Sequence, residues 1–335
     1  MTGMRAAVLD VFGAHAPAVR DVLRPEPEPG RVLIRVLAAG LNPIDNGIRL
    51  GRSPYAQPAL PAIVGTDVAG IVEAVGDGVD SFSPGDRVFG LTGGVRGEQG
   101  SLAQFQSADP ALLAHAPDTL PLRQAAALPL VTLTAWEALQ AIQVGAGSRL
   151  LIQAGAGGVG HVATQIAVAS GADVTATVSP GKAALVEAWG ATAVDYTRTD
   201  VMTRLRDASE GGFDAVFDTV GGPALEQSFL LARQHGDVAS CAAFGRPCLQ
   251  EASLRFLTLH PVYVLLPLTS GRRRAAHGAF LRRTAELVDS GRLRPVVDER
   301  RFTLDDLPAA YTAVGDGSAY IKIVVDIAAD PSPLR

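Results

Sequence analysis

The sequence predicts an α/β chain: a doubly wound parallel sheet joined to a mostly-β domain. Three observations predict it. The apolar run Leu150-Leu151-Ile152-Gln153-Ala154 leads directly into Gly155-Ala156-Gly157-Gly158-Val159-Gly160, and a helical pattern through Val162, Ile166 and Val168 follows. From about residue 125 onward strand-like and helical segments alternate, the pattern of repeated β-α-β units. Before residue 125 the chain is rich in valine, glycine and proline, in short alternating segments separated by glycine turns.

Each element has a local reason. Residues 1–11 read as a strand. Pro25-Glu26-Pro27-Glu28-Pro29-Gly30 is an extended loop closed by a turn, and Arg31-Val32-Leu33-Ile34-Arg35-Val36-Leu37 alternates as a strand does. Residues 69–76 and 86–90 are further strands, and the glycine-rich stretch 91–100 is expected to be a mobile surface loop. Residues 125–142 form a helical stretch with proline near its start. A strand over 149–153, a helix over 159–170, a strand over 173–178 and a helix over 182–189 ended by Gly190 come next. Short strands over 193–196, 215–218 and 237–241 complete the alternation, the last two separated by a helix over 224–233. Parallel sheets of this kind bind ligands at the carboxyl ends of their strands. Those ends lie at residues 153–155, 178–179, 218–221 and 243–245, which include Val220 and Phe244.

Composition excludes several classes. The 335 residues are enough for two domains with sizeable cores, and 47% hydrophobic with 19% charged residues is ordinary for a globular protein. No apolar run approaches the roughly 20 residues of a membrane span. A net charge of −5 argues against a nucleic-acid-binding face. The two cysteines, Cys241 and Cys248, stand in no metal-ligand pattern and read as reduced core and loop residues, which suits a cytoplasmic, zinc-free protein. Of 29 basic residues only Lys182 and Lys322 are lysines.

The glycine turn carries the first chemistry. Strand, tight turn and helix N-terminus together hold a dinucleotide pyrophosphate: free backbone N–H groups and the helix dipole face the phosphates. Gly155 makes the turn, Gly157 lets the backbone approach, and Gly160 allows close helix–strand packing; Ala156, Gly158 and Val159 complete the cradle. An acid at the end of the second strand would accept from a ribose 2′-hydroxyl. Here Asp173 stands at the opposite end, and the exit carries Thr177, Ser179 and then Lys182. Hydroxyls and an ammonium suit a 2′-phosphate, and a cation at a helix start is otherwise unfavourable. The expected cofactor is therefore NADPH rather than NADH.

At this point the residues match a family. Gly40-Leu41-Asn42-Pro43-Ile44-Asp45, Gly65-Thr66-Asp67-Val68-Ala69-Gly70, Val75-Gly76-Asp77-Gly78-Val79 and Pro84-Gly85-Asp86-Arg87-Val88 stand in order. Ala125-Ala126-Ala127-Leu128-Pro129, Thr134-Ala135-Trp136, the stretch 154–160 and Asp218-Thr219-Val220-Gly221-Gly222 follow. Over nearly its whole length the chain resembles the medium-chain dehydrogenase/reductase superfamily, and within it the zinc-free quinone oxidoreductases. The resemblance implies a GroES-like catalytic domain begun by residues 1–124, a Rossmann NADP-binding domain over 125–260, and a return over 261–335 that completes the first domain. It implies an active site in the cleft between the domains, and a homodimer. It places Asn42, Asp45 and Thr134 beside the nicotinamide. It places Ser179, Lys182 and Tyr196 on the 2′-phosphate and adenosine, and Lys322 close to the cofactor cleft. Zinc-dependent relatives carry Cys after the Gly-Leu pair and His-Glu in the second motif; here Asn42 and Thr66-Asp67 stand there, so no metal ligand set is expected. Pro43 and Gly47 stand where quinone oxidoreductases often carry tyrosines, with Tyr55 the one nearby tyrosine, which implies a less aromatic pocket.

The expected activity is metal-free hydride transfer from NADPH to a quinone or to an α,β-unsaturated carbonyl. Asn42 is expected to donate a hydrogen bond near the carboxamide or the acceptor oxygen, with Asp45 ordering Asn42 or a water chain. The alternatives are an enone reductase dedicated to one biosynthetic intermediate and a non-catalytic NADPH sensor. His161 reads as a surface residue of its helix, and Arg272-Arg273-Arg274 with Arg282-Arg283 as a solvated helix face.

Overall fold

The computed structural model describes residues 3–13 and 15–329. The chain divides into two compact units. One comprises Met1–Leu130, Leu265–Gly291 and Pro295–Arg335; the other comprises Val131–Val264 with Arg292–Arg294.

The first unit is built around the strand Val32–Leu41, whose near-continuous apolar run is buried on both faces. It pairs antiparallel with Asp67–Val75 on one side and with Ile323–Asp326 on the other. Gly40 lies opposite Asp67, and Leu41 opposite Ile323. Continuing the register by one residue sets Asn42 beside Lys322. Three segments far apart in sequence thus deliver their polar side chains to one end of one sheet. The helix Pro43–Arg49 starts there, with Pro43 in the first turn, where its missing N–H costs no helical bond. It packs on the helix Leu307–Gly315 through Asn46, whose Nδ2 donates to the Tyr311 carbonyl at 3.0 Å. Ala39, Leu41, Leu307, Ala310, Tyr311, Ile323 and Val325 form the apolar cluster beneath.

The stretch 91–100 departs from the expected mobile surface loop: residues 91–95 and Gly100 are buried. Side-chain amides knit the stretch in place. Gln106 Nε2 donates to the Gln99 carbonyl at 2.6 Å, and Gln99 Nε2 donates to the Phe105 carbonyl at 2.8 Å. Glu98 is held by Arg31 at 3.0 Å and by Arg274 at 2.7 Å. Arg274 also pairs with Asp109 at 2.8 Å, so it belongs to this network and not to a solvated face.

The second unit is a six-stranded sheet whose strands pair in parallel throughout. Its spatial order is Thr192–Asp195, Asp173–Val178, Arg149–Ile152, Phe213–Asp218, Ala232–Ser240 and Thr258–Pro261. Counted along the chain the order reverses direction at Arg149–Ile152, and at such a switch point the strand ends open a crevice for a ligand. The helix Gly160–Ala169 follows the first strand and is buried on nearly every side. His161 is 0% exposed, in place of the expected surface position, and its Nδ1 lies 2.7 Å from the Gly158 carbonyl. The helix is covered on nearly every side, and its polar residues Thr164 and Gln165 bond inside the protein, so a histidine within it is carried inward as well.

Candidate active site

In the second unit the glycine turn is set by two close approaches. A Cβ on Gly155 would stand 2.4 Å from the Ala176 Cβ, and one on Gly160 would stand 2.0 Å from the Ala154 carbonyl oxygen. Those glycines let strand, turn and helix stack, while Gly157, Gly158 and Val159 form the half-buried outer side of the turn. Ala154 itself is left-handed, with φ of 55°. Its N–H donates to Thr177 Oγ1 at 2.9 Å, and that hydroxyl donates to Gln153 Oε1 at 2.8 Å. Thr177 is therefore consumed in holding the turn and is not offered to a phosphate. Asp218 is likewise turned inward: it accepts from the Val220 and Gly221 N–H groups and from Ser240 Oγ.

What remains at the carboxyl ends of these strands fits a dinucleotide. Ser179 and Lys182 are half-buried at the exit of the second strand, and burial holds the Lys182 ammonium below its ordinary pKa, a penalty that a bound anion would relieve. Tyr196, Val220 and Phe244 follow the ends of three strands and are 55%, 54% and 64% exposed. They leave large apolar side chains open at strand ends on one side of the sheet, the kind of surface that suits a ligand. Thr134 is buried in the helix Pro129–Ala141, in the part that belongs to this unit.

In the first unit, Asn42, Asp45, Thr66, Asp67 and Lys322 form one cluster, and none is more than 3% exposed. Asn42 Nδ2 donates to Asp67 Oδ2 at 2.8 Å and to Thr66 Oγ1 at 3.2 Å. Lys322 Nζ donates to Asn42 Oδ1 and, at 3.2 Å, to the Leu41 carbonyl; it lies 3.8 Å from Asp67 Oδ2. An ammonium only donates and a carboxylate only accepts, so these two neighbours fix which end of the amide is which. Both amide hydrogens of Asn42 are spent inside the protein. The expected donation to a carboxamide or acceptor oxygen is not available in this arrangement, and only a lone pair on Oδ1 remains. Asp45 Oδ2 accepts from the Asn42 N–H at 2.8 Å and from Thr66 Oγ1 at 3.2 Å, so Asp45 does order Asn42, through its backbone. Lys322 stands on Asn42 and, within this unit, joins the polar cluster instead of reaching outward.

Burial dominates the electrostatics. It pushes Asp45 up to about 7, with the Asp67 charge adding to the rise. It pushes Asp67 up to about 6 against the opposing pull of Lys322 and the Asn42 bond. It lowers Lys322, which both carboxylates partly restore.

Comparisons with known proteins identify the family. The model of the alcohol dehydrogenase GroES-like domain matches residues 28–118, and that of zinc-binding dehydrogenases matches residues 189–325. The quinone-oxidoreductase QR1 of Triphysaria versicolor, chloroplastic, is 32% identical, over 96% of this chain and 98% of its own length. The NADPH-dependent alkenal/one oxidoreductase of Arabidopsis thaliana, chloroplastic, is 30% identical over 90% and 72%. The chain belongs to the medium-chain dehydrogenase/reductase superfamily. A solved structure of an alcohol dehydrogenase superfamily protein from Novosphingobium aromaticivorans superposes with a TM-score of 0.92 at 44% identity, covering 97% of this chain and 99% of that one.

This medium-chain dehydrogenase/reductase stands in the zinc-free, quinone oxidoreductase-like branch and is an oxidoreductase using a nicotinamide cofactor. A zinc ion does not fit the cluster. Asn42 and Thr66 offer neither thiolate nor imidazole, and an ammonium already sits on the Asn42 oxygen. Among the described residues no three His, Cys, Asp or Glu side chains converge. Thr66 and Asp67 stand in a family motif and in place of zinc ligands with no role of their own expected, and nothing in the sequence marks Tyr311 or the side chain of Gln153. Asp67 carries a usable signal, the one charged residue in the largely apolar stretch from Ile63 to Val72. No helix among the described residues is long and apolar enough to cross a membrane.

Proposed function

We propose that the chain is an NADPH-dependent, zinc-independent reductase of quinones or of the alkene of α,β-unsaturated carbonyls. The observation that carries the choice of cofactor is the exit of the strand Asp173–Val178: no acid, Ser179, and a half-buried Lys182 beside it. A bound NADPH supplies a hydride. The turn over residues 155–160 holds its pyrophosphate through backbone N–H groups. Ser179 and Lys182 hold the 2′-phosphate by charge-assisted hydrogen bonds, and Tyr196, Val220 and Phe244 cover the nucleotide. Thr134 is assigned to the nicotinamide end, and Asn42 and Asp45 act through the polar cluster of the first unit.

Cofactor oxidation against matched quinones, alkenals and enones, with NADPH and with NADH, tests this reading. Turnover of at least one acceptor class is expected, preferring NADPH and unaffected by a chelator. Lys182→Ala should raise KM for NADPH roughly tenfold to a hundredfold, the worth of one charge-assisted bond, and leave KM for NADH nearly unchanged. A preference for NADH would overturn the assignment of Lys182. Tight NADPH binding without oxidation by any acceptor would identify a binding protein instead.

A further inference from the structure

The buried cluster of the first unit contains one ammonium and two carboxyl groups, Lys322 against Asp45 and Asp67, with all three out of water. With both carboxyls ionised it would carry a net negative charge that no solvent screens. The two carboxyls are not equally provided for. Asp67 Oδ1 accepts from the Leu130 N–H at 2.9 Å, its Oδ2 accepts from Asn42, and Lys322 stands 3.8 Å away. Asp45 has donors on Oδ2 alone; its Oδ1 is buried with no hydrogen-bond partner. An ionised oxygen in that position loses its hydration without replacement, whereas a protonated one becomes an O–H donor.

The neighbouring groups supply a direction for that donor. From the helix Leu307–Gly315, the Tyr311 hydroxyl is buried, also lacks a partner, and lies near enough to Asp45 to be raised by its charge as well as by burial. The other charges facing Asp45 are Asp67 from the strand Asp67–Val75 and Lys322 before the strand Ile323–Asp326. Arg49, one turn along from Asp45, lies over the Tyr311 ring at 5.1 Å and donates to Asn46 Oδ1 and to the carbonyls of Gly13 and His15.

We propose that Asp45, Asp67 and Lys322 hold one exchangeable proton among them, that it resides on Oδ1 of Asp45, and that it is the proton store of the site. Asp45 is then a neutral acid, Asp67 an anion and Lys322 its cation. The role rests on the reductase reading above. Two-electron reduction of an alkene or quinone by a hydride also takes up one proton. Asp45 releases that proton, is left as a carboxylate, and regains a proton from solvent. Asp45 acts as a positioning and proton-holding residue, since its burial keeps it from touching an acceptor.

Infrared difference spectroscopy of the whole protein, wild type against Asp45→Asn, reads the charge state without turnover. A protonated-acid carbonyl band is expected in the wild type that fades as pH rises through about 7 and is absent from Asp45→Asn. Asp67→Asn removes a repelling charge and should move the loss of that band to lower pH. Lys322→Met should move it to higher pH, and if that variant does not fold the Asp67→Asn shift still decides. A wild type lacking the band between about pH 6 and about 7, above the value to which Asp67 is raised, or a band that survives Asp45→Asn in that interval, overturns the proposal. In turnover, Asp45→Asn should lower kcat and flatten its pH profile with KM for NADPH unchanged; an unaltered profile overturns the store's role. A titrating band without reduction of any acceptor would sink the reductase reading and uphold the proton; turnover without the band would do the reverse.

Discussion

Single side chains in this protein do most of their work by being spent. Thr177 accepts from the Ala154 N–H and donates to Gln153, and so holds a left-handed alanine at the mouth of the glycine turn. Thr177→Val keeps the shape but leaves a half-buried N–H and a buried amide oxygen without these partners. A loss of about 1–3 kcal/mol is expected, measurable by urea unfolding, with weaker cofactor binding alongside. Asn42 shows the same pattern, and here reading the sequence and reading the structure diverge. The family resemblance is enough to pick out Asn42 and Asp45, because the motif that carries them is contiguous in the sequence. It cannot show that Lys322 bonds to Asn42, since that bond spans 280 residues and only the strand register makes it. The rarity of lysine marks Lys322 as a residue of interest and is silent on its partner.

At the level of elements, the clearest dependence is the stacking of turn, strand and helix at Gly160. Gly160→Ala drives a methyl into the Ala154 carbonyl. Overpacking of this kind costs about 1–3 kcal/mol, and the shifted helix start should abolish NADPH binding by calorimetry while the first unit remains folded. This turn is legible in the sequence because its motif is contiguous. The stretch 91–100 is not, because glycine content signals freedom whereas its burial comes from Gln99, Gln106, Arg31 and Arg274, most of which reach it from other segments. Arg274→Met strips a partner from both Glu98 and Asp109. Partly exposed pairs are worth little singly, so a loss of about 1 kcal/mol is expected, with increased proteolysis within residues 91–100 as the sharper readout.

For the molecule as a whole, buried groups pull the pH dependence of stability in two directions. Asp45 sits above its unfolded value, so its contribution is fully present below about pH 4 and is lost as pH rises toward about 7. His277 is buried with neither ring nitrogen partnered, and burial lowers it to about 4. The unfolded chain therefore binds that proton first, and stability is lost as pH falls from about 6.5 toward about 4. Asp298, held well below the carboxylate range by its bonds to Arg300, adds a further loss at still lower pH. Thermal melts should show a broad optimum in the mildly acidic to neutral range. Asp45→Asn removes the larger part of the alkaline slope and leaves the part due to Asp67, so its optimum should move upward in pH, and the variant should melt above the wild type at about pH 8. An optimum that stays put would contradict the burial of a neutral acid there.

The register that brings Lys322 beside Asn42 also sets an order of events during synthesis. Asn42, Thr66 and Asp67 leave the ribosome first, and the ammonium that completes their bonding is made 280 residues after Asn42. At ordinary elongation rates that is an interval of roughly 15 to 60 seconds. Through it the nascent chain must keep two carboxyl groups at the end of an unfinished sheet hydrated or protonated. The centre of the first unit is thus closed by a strand translated long after the residues it joins, and a ribosome that stalls before Lys322 releases a chain whose polar cluster has no cation.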